Sequence, residues 1–151
     1  MEFGSDEKGR WGNNSPVHEN TMAEGLGNPG PDDLKITAVS LVGAEGLEIV
    51  DSYVVLIKTK NSLGYGPEWP PPKEHLAWAG VAMKDLKPAT GAILAPNAGV
   101  DIWNVVLHLR RPDLTKQAKY ESVRVDYEVK GRRYFKKSAM RLELGCQSGC
   151  Q

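Results

Sequence analysis

Apolar and polar residues alternate most cleanly toward the C-terminal end of the chain. Val123, Val125, Tyr127 and Val129 interleave with Arg124, Asp126, Glu128 and Lys130. A period of two puts an apolar set on one face of a strand and a charged set on the other. Gly131 breaks the run, and an extended pattern resumes from Arg132 to Leu144, so a β-hairpin is predicted. Two registers compete. A two-residue Lys130-Gly131 loop sets Tyr127 opposite Tyr134 and Val125 opposite Lys136. A three-residue loop with left-handed Gly131 sets Val125 opposite Phe135 and Glu128 opposite Arg132. The second is expected, because a lysine in left-handed backbone costs about 1–2 kcal/mol. It then requires a bulge over residues 136–138 to return Met140, Leu142 and Leu144 to the apolar face.

Upstream, residues 34–42 are rich in β-branched and apolar side chains and close at Gly43, which predicts a strand. Residues 47–59 hold a continuous apolar block at Tyr53 to Ile57, the pattern of a central strand covered on both faces. Residues 100–109 set Trp103, Val105, Leu107 and Leu109 on one face, and a further strand is expected over residues 76–83. Between the second and third of these blocks lies Tyr65 to His75, with Pro70, Pro71 and Pro72 in succession. Three prolines donate no ladder bonds, so the segment reads as an extended loop. Residues 1–32 are rich in Gly, Asn, Pro, Asp and Glu, with Trp11, Val17, Met22 and Leu26 at spacings that suit neither helix nor strand. They are expected to form a disordered linker. Within them Met1 to Ser5 resemble the translation of cloning sites, so residues 1–5 are read as vector-derived. A native N-terminal anchor or signal is then expected to have been removed.

The result is one β domain over residues 33–145, with a flexible cysteine-containing tail over residues 146–151. Some seven strands, turn signals between them and no helix long enough for a crossover predict an all-β fold. That fold is an immunoglobulin-like antiparallel β-sandwich, with a small β-barrel as the alternative. The layout resembles the immunoglobulin-like accessory modules of bacterial extracytoplasmic proteins. The resemblance rests on pattern, since the paired core cysteines of antibody-type domains are absent.

Charge narrows the partners. Nineteen basic and nineteen acidic residues balance, which argues against a general nucleic-acid binder. No apolar run approaches the ~20 residues that span a bilayer. Three residues separate Cys146 from Cys150 within a Gly- and Ser-containing loop. A local disulfide is feasible there and inert thiols are the alternative, whereas a metal site would need four ligands. The disulfide reading favours an oxidising compartment. His18, His75 and His108 lie far apart in unlike contexts, and no serine sits in a nucleophile elbow. Asp32 and Asp33 lack the spacing of a calcium loop, and there is no glycine-rich phosphate motif. Neither a catalytic residue, a metal nor a cofactor is therefore expected.

Two binding surfaces stand out. Tyr65, Trp69, Pro70, Pro71, Pro72 and Trp78 place aromatics on a stiff loop, which suits a protein interface. The plain alternative is that Tyr65 and Trp69 fold back to cap the sandwich. Arg132, Arg133, Lys136 and Lys137, with Lys130, form a basic cluster on the hairpin. It suits an anionic partner, or simply keeps an edge soluble. The functional expectation is a non-enzymatic protein-binding or scaffolding module, secreted or of the cell envelope. The alternatives are an assembly subunit that pairs through an edge strand and, last, a small hydrolase or metal-dependent enzyme.

Overall fold

The computed structural model describes residues 1–3, 9–13, 17–59, 61–97 and 101–146, the side chains of 9–11 and 13 excepted. The strands are β1 (Glu2–Phe3), β2 (Gly9–Asn13), β3 (Glu19–Gly27), β4 (Leu34–Val42), β5 (Glu48–Ile57), β6 (Tyr65–Gly66), β7 (Lys87–Pro88), β8 (Ile93–Leu94), β9 (Ile102–Arg110), β10 (Ala118–Tyr120), β11 (Ser122–Val129), β12 (Arg132–Lys137) and β13 (Met140–Leu144). A short helix, α1 (Lys73–Trp78), and a 3₁₀ turn at Met83–Asp85 lie between β6 and β7.

The chain is an all-β sandwich. One large sheet has the order β1-β3-β9-β5-β7 with β6 also on β3, and it faces a second of order β12-β11-β4-β8. A smaller sheet, β10-β13-β2, is antiparallel except where β13 meets β2 in parallel. Neither large sheet closes on itself, so the barrel alternative is not the fold.

Two cores lie on opposite faces of the first sheet, because alternate residues of each strand point to opposite sides. Met22, Leu26, Val54, Val105, Leu107 and Leu109 face the second sheet and meet Leu34, Ile36, Val123 and Val125 there. Tyr120, Leu142 and Leu144 of the small sheet join that core. Ala23, Val55 and Val106 face the other way and are covered by Leu63, Leu76, Ala79 and Leu86. Each fully buried leucine contributes roughly 1.5–3 kcal/mol. The 61–86 segment is thus a third layer, fastened by side-chain bonds. Asn104 Oδ1 accepts the Ser62 hydroxyl at 3.1 Å, and Asn61 Nδ2 donates to the Trp78 carbonyl at 2.9 Å. Residues 76–83 are therefore the end of α1 and a turn, where a strand was expected: Leu76 and Ala79 bury one helical face.

The expected disordered linker of residues 1–32 contains β3, which pairs with β9 from Glu19 opposite Arg110 to Leu26 opposite Trp103. Its polar side chains find tertiary partners. The Tyr65 hydroxyl donates to Asn20 Oδ1 at 2.6 Å, and the Thr21 hydroxyl donates to the Glu68 carbonyl at 2.6 Å. Further on, Asn28 Nδ2 donates to the carbonyls of Asp32 and Leu94. Residues 4 and 5 of the expected vector-derived stretch, the Trp11 side chain and residues 147–151 of the tail lie outside the described residues.

The hairpin takes the two-residue register, with Tyr127 opposite Tyr134 and Val125 opposite Lys136. Lys130 and Gly131 both have positive φ, 51° and 76°, the backbone that a two-residue turn matched to strand twist demands. Stacking of Tyr127 on Tyr134, centroids 5.6 Å apart, offsets part of the lysine's strain. The expected bulge at 136–138 is also absent. The chain leaves the second sheet at Ser138, whose N–H donates to the Val123 carbonyl and whose hydroxyl accepts the Val123 N–H. It then enters the small sheet as β13, and this change of sheet is what returns Leu142 and Leu144 to the core.

Deleting residues 1–27 should abolish the cooperative urea transition; an unchanged midpoint would mean that β3 is dispensable. Lys130→Asn should stabilise the chain by about 0.5–1 kcal/mol, read from the same midpoint, since asparagine tolerates positive φ better than lysine.

Candidate functional site

The proline-rich loop turns inward. Trp69 is stacked between two rings of the first sheet, 4.6 Å from His108 at 7° and 5.6 Å from Tyr53 at 15°. His108 Nε2 lies 2.6 Å from Glu19 Oε2, and Arg110 Nε lies 3.4 Å from Glu19 Oε1. The histidine bond, reinforced by Arg110, holds the Glu19 carboxyl below its ordinary range. The sequence placed His108 on a strand beside Arg110 but gave no sign of this packing. One ring face is covered by Trp69 and one ring nitrogen is engaged by a carboxylate. Chemically, the arrangement fastens the loop to the sheet.

Of the loop residues singled out for binding, Tyr65 is half-buried and bonded to Asn20, and Trp69 is half-buried in the stack. Pro71 is buried, Pro72 is half-buried and Pro70 is exposed. Trp78, at the end of α1, is 55% exposed and lies 6.2 Å from the His75 ring. The loop therefore caps the sheet and leaves Trp78 as its outward aromatic.

The hairpin presents the opposite picture. All six residues of β12 are exposed, Arg132, Arg133, Tyr134, Phe135, Lys136 and Lys137. The strand forms one border of the second sheet. Phe135 is 54% and Tyr134 44% exposed. The Arg124 guanidinium sits 4.1 Å over the Phe135 ring while bonded to Asp126. Arg133 lies 3.7 Å from Glu128 and Lys130 3.5 Å from Asp32. Among the described residues no ion pair restrains Arg132, Lys136 or Lys137.

Two charged residues, Arg111 and Glu24, are buried without a sign in the sequence. Arg111 is fully buried, and its guanidinium donates to the carbonyls of Lys116 at 2.6 Å and Gly145 at 3.0 Å. It thereby joins the end of β9 to the chain segment after β13. The same guanidinium contacts Cys146 Sγ at 3.5 Å. Cys146 is disulfide-bonded, and Cys150, the only other cysteine, lies outside the described residues. Glu24 is buried on the main-core face of β3, and burial pushes its carboxyl up to about 7, with a Ser138 hydroxyl pulling the other way. The Glu24 charge and burial together raise the Tyr120 hydroxyl, burial being the larger cause. Glu24 Oε1 and the Tyr120 hydroxyl lack hydrogen-bond partners among the described residues. A lone Glu in a polar stretch gives no sequence signal of burial. Among the described residues no group of three or more His, Cys, Asp or Glu could hold a metal, and no helix is long and apolar enough to cross a membrane.

No protein-family model and no curated protein matches the chain. Among solved structures it is similar to the VesB protease of Vibrio cholerae, with a TM-score of 0.41 and 11% identity over 91% of this chain. The chain spans 30% of that protein's length.

Glu24 makes stability depend on pH in a stated direction. Its folded pKa lies above the unfolded value of 4.5, at about 7, so the folded state binds the proton more tightly. The resulting stability is full below the unfolded value and is lost as pH rises through the folded one. Denaturant midpoints of Glu24→Gln should fall less than wild type between pH 5 and 8. The difference should be about 2–3 kcal/mol; parallel curves would remove Glu24 as the cause.

Proposed function

We propose that this chain is a non-enzymatic protein-binding or scaffolding module of a secreted or cell-envelope protein, and that β12 makes the contact. The observation that carries this reading is a border strand exposed on both faces, holding two outward aromatics and four cations. Basic residues alone would serve to discourage edge pairing. Exposed Tyr134 and Phe135 do not serve that purpose, and aromatics ringed by cations suit the centre and rim of an interface with an acidic partner. The disulfide at Cys146 supports an extracytoplasmic setting, where thiols are oxidised. The proline-rich loop is set aside as the contact because Tyr65 and Trp69 are spent on the sheet.

A second reading, an assembly subunit that pairs through an edge strand, is favoured by the position of β12 at a sheet border.

A photo-crosslinking residue at Phe135, introduced in the native host, should give a discrete adduct in the extracytoplasmic fraction. One at Trp78 should not. Phe135→Ala should weaken the partner's binding by about 1–2 kcal/mol and lower folding stability by at most about 1 kcal/mol, since the ring is exposed and stands under the Arg124 guanidinium. Adducts only with a second copy of the chain would favour the assembly reading. Turnover of generic ester or peptide substrates that is lost in His108→Ala would overturn the non-enzymatic one.

A further inference from the structure

We infer that a second docking site lies along the open edge of β5, on the other side of the sandwich from β12, and that it takes an extended peptide of another protein. The peptide would carry a short apolar run flanked by acidic residues.

Pairing on this side of β5 stops early. β7 meets only Tyr53 and Val54. The Ala89 N–H donates to the Ser52 carbonyl at 3.0 Å, so the Ser52 backbone faces this edge. Alternation then turns the N–H and C=O of Val54 and Leu56 the same way, and those of Tyr53 and Val55 toward β9. Lys87 meets Val54, but among the described residues no strand stands opposite Leu56. A groove of about 810 Å³ runs there instead.

The walls of the groove explain the side chains it would accept. Val54 and Trp103 belong to the main-core side of the sheet, Val55 and Val81 to the other side, and all four line the groove. A strand added to this edge would send alternate side chains to the two walls. Each wall offers apolar side chains beside the edge, so the run that enters would be apolar on both faces, like a strand inside a sheet. Ile93, 62% exposed, stands on the rim without a partner to cover it. Edge hydrogen bonds would supply affinity and the two walls selectivity, the strand-addition mode of recognition.

Charge selects the flanks and argues against a second copy. Lys58 and Lys87 line the groove. Asp85, also at its margin, accepts the Ala82 N–H at 2.8 Å, and Lys87 donates to the Lys84 carbonyl at 3.4 Å, so two lysines face one carboxylate there. A basic rim favours acidic flanks on the peptide. Laying this edge against the same edge of a second copy would set Lys58 and Lys87 against themselves, and laying the border strand β12 on it would bring up Arg132, Arg133, Lys136 and Lys137, so either pairing would oppose like charges.

The test is to pan phage-displayed random nonapeptides against the full chain and to synthesise the enriched sequences. Apolar runs with acidic flanks are expected. Their affinity by fluorescence anisotropy should fall about tenfold in Ile93→Glu and in Lys58→Glu/Lys87→Glu. Phe135→Ala should bind as wild type, which separates this site from the hairpin. Peptide binding should slow amide exchange at Leu56 and Lys58, the positions whose backbone faces the open edge. Methylating peptide amides of one parity should abolish binding, while the other parity is tolerated. Ile93 is exposed, so a folded variant is expected, with circular dichroism as the check. Enriched peptides that ignore the variants, tolerance of methylation at both parities, or failure to enrich any peptide would overturn the proposal. A dimer that protects Leu56 and Lys58 without peptide would overturn it in favour of a second copy.

Discussion

The sandwich depends on the pairing of β9 along both of its edges, with β3 on one side and β5 on the other. Residues 102–110 supply an alternating strand whose two faces feed both cores: Val105, Leu107 and Leu109 inward, Val106 outward. Left with one neighbour, β9 would expose a long row of backbone donors and acceptors, each costly to bury unpaired. The polar segment 19–27 satisfies that row, and for this reason a stretch with little apolar content can lie at the centre of a sheet. Satisfying the ladder brings Asn20, Thr21 and Glu24 inside. Each then needs a partner, and the proline-rich loop supplies two of them through the Tyr65 hydroxyl and the Glu68 carbonyl.

The same logic accounts for the aromatics of that loop. Its prolines prevent it from joining a ladder, so it is held by side chains. Trp69 lies between Tyr53 of β5 and His108 of β9, across the seam of the two strands. Glu19 of β3 reaches the same histidine from the other side. Three adjacent strands and the loop are therefore linked through one imidazole. An aromatic-rich loop that looks like a binding surface in one dimension is here a fastening, and exposure passes to Trp78 and to β12.

How much of this was legible follows from where the signals are local. Residues 34–42, 48–57, 102–110 and the terminal hairpin announce themselves through β-branched runs or alternation, and they form strands. β3 does not, because its polar residues are buried by tertiary partners that composition cannot report. The hairpin register is not decided by the strain of the single lysine at Lys130. A Tyr127–Tyr134 contact and the fit of a two-residue turn to strand twist outweighed about 1–2 kcal/mol. The basic cluster was visible as charge, but its exposure on both faces of a strand was not. Arg111 and Glu24 were invisible as buried groups, since a charged residue gives no sign in sequence that carbonyls or a raised pKa will accommodate it.

Two of the sheet borders carry the proposed contacts, and their charges bear on what such edges can pair with. An edge that pairs with a different edge on the next copy makes a contact that does not close on itself and so tends toward filaments. Here both borders are basic, through β12 on one side and Lys58 and Lys87 on the other. Like charge disfavours copy-to-copy addition at either edge while leaving each open to an acidic partner. If both proposed contacts hold, the chain would join two different acidic segments across the width of one sandwich. Its balanced net charge would then reflect basic edges offset by acidic residues elsewhere, which leaves the partner-facing borders positive without the non-specific attraction of a basic protein.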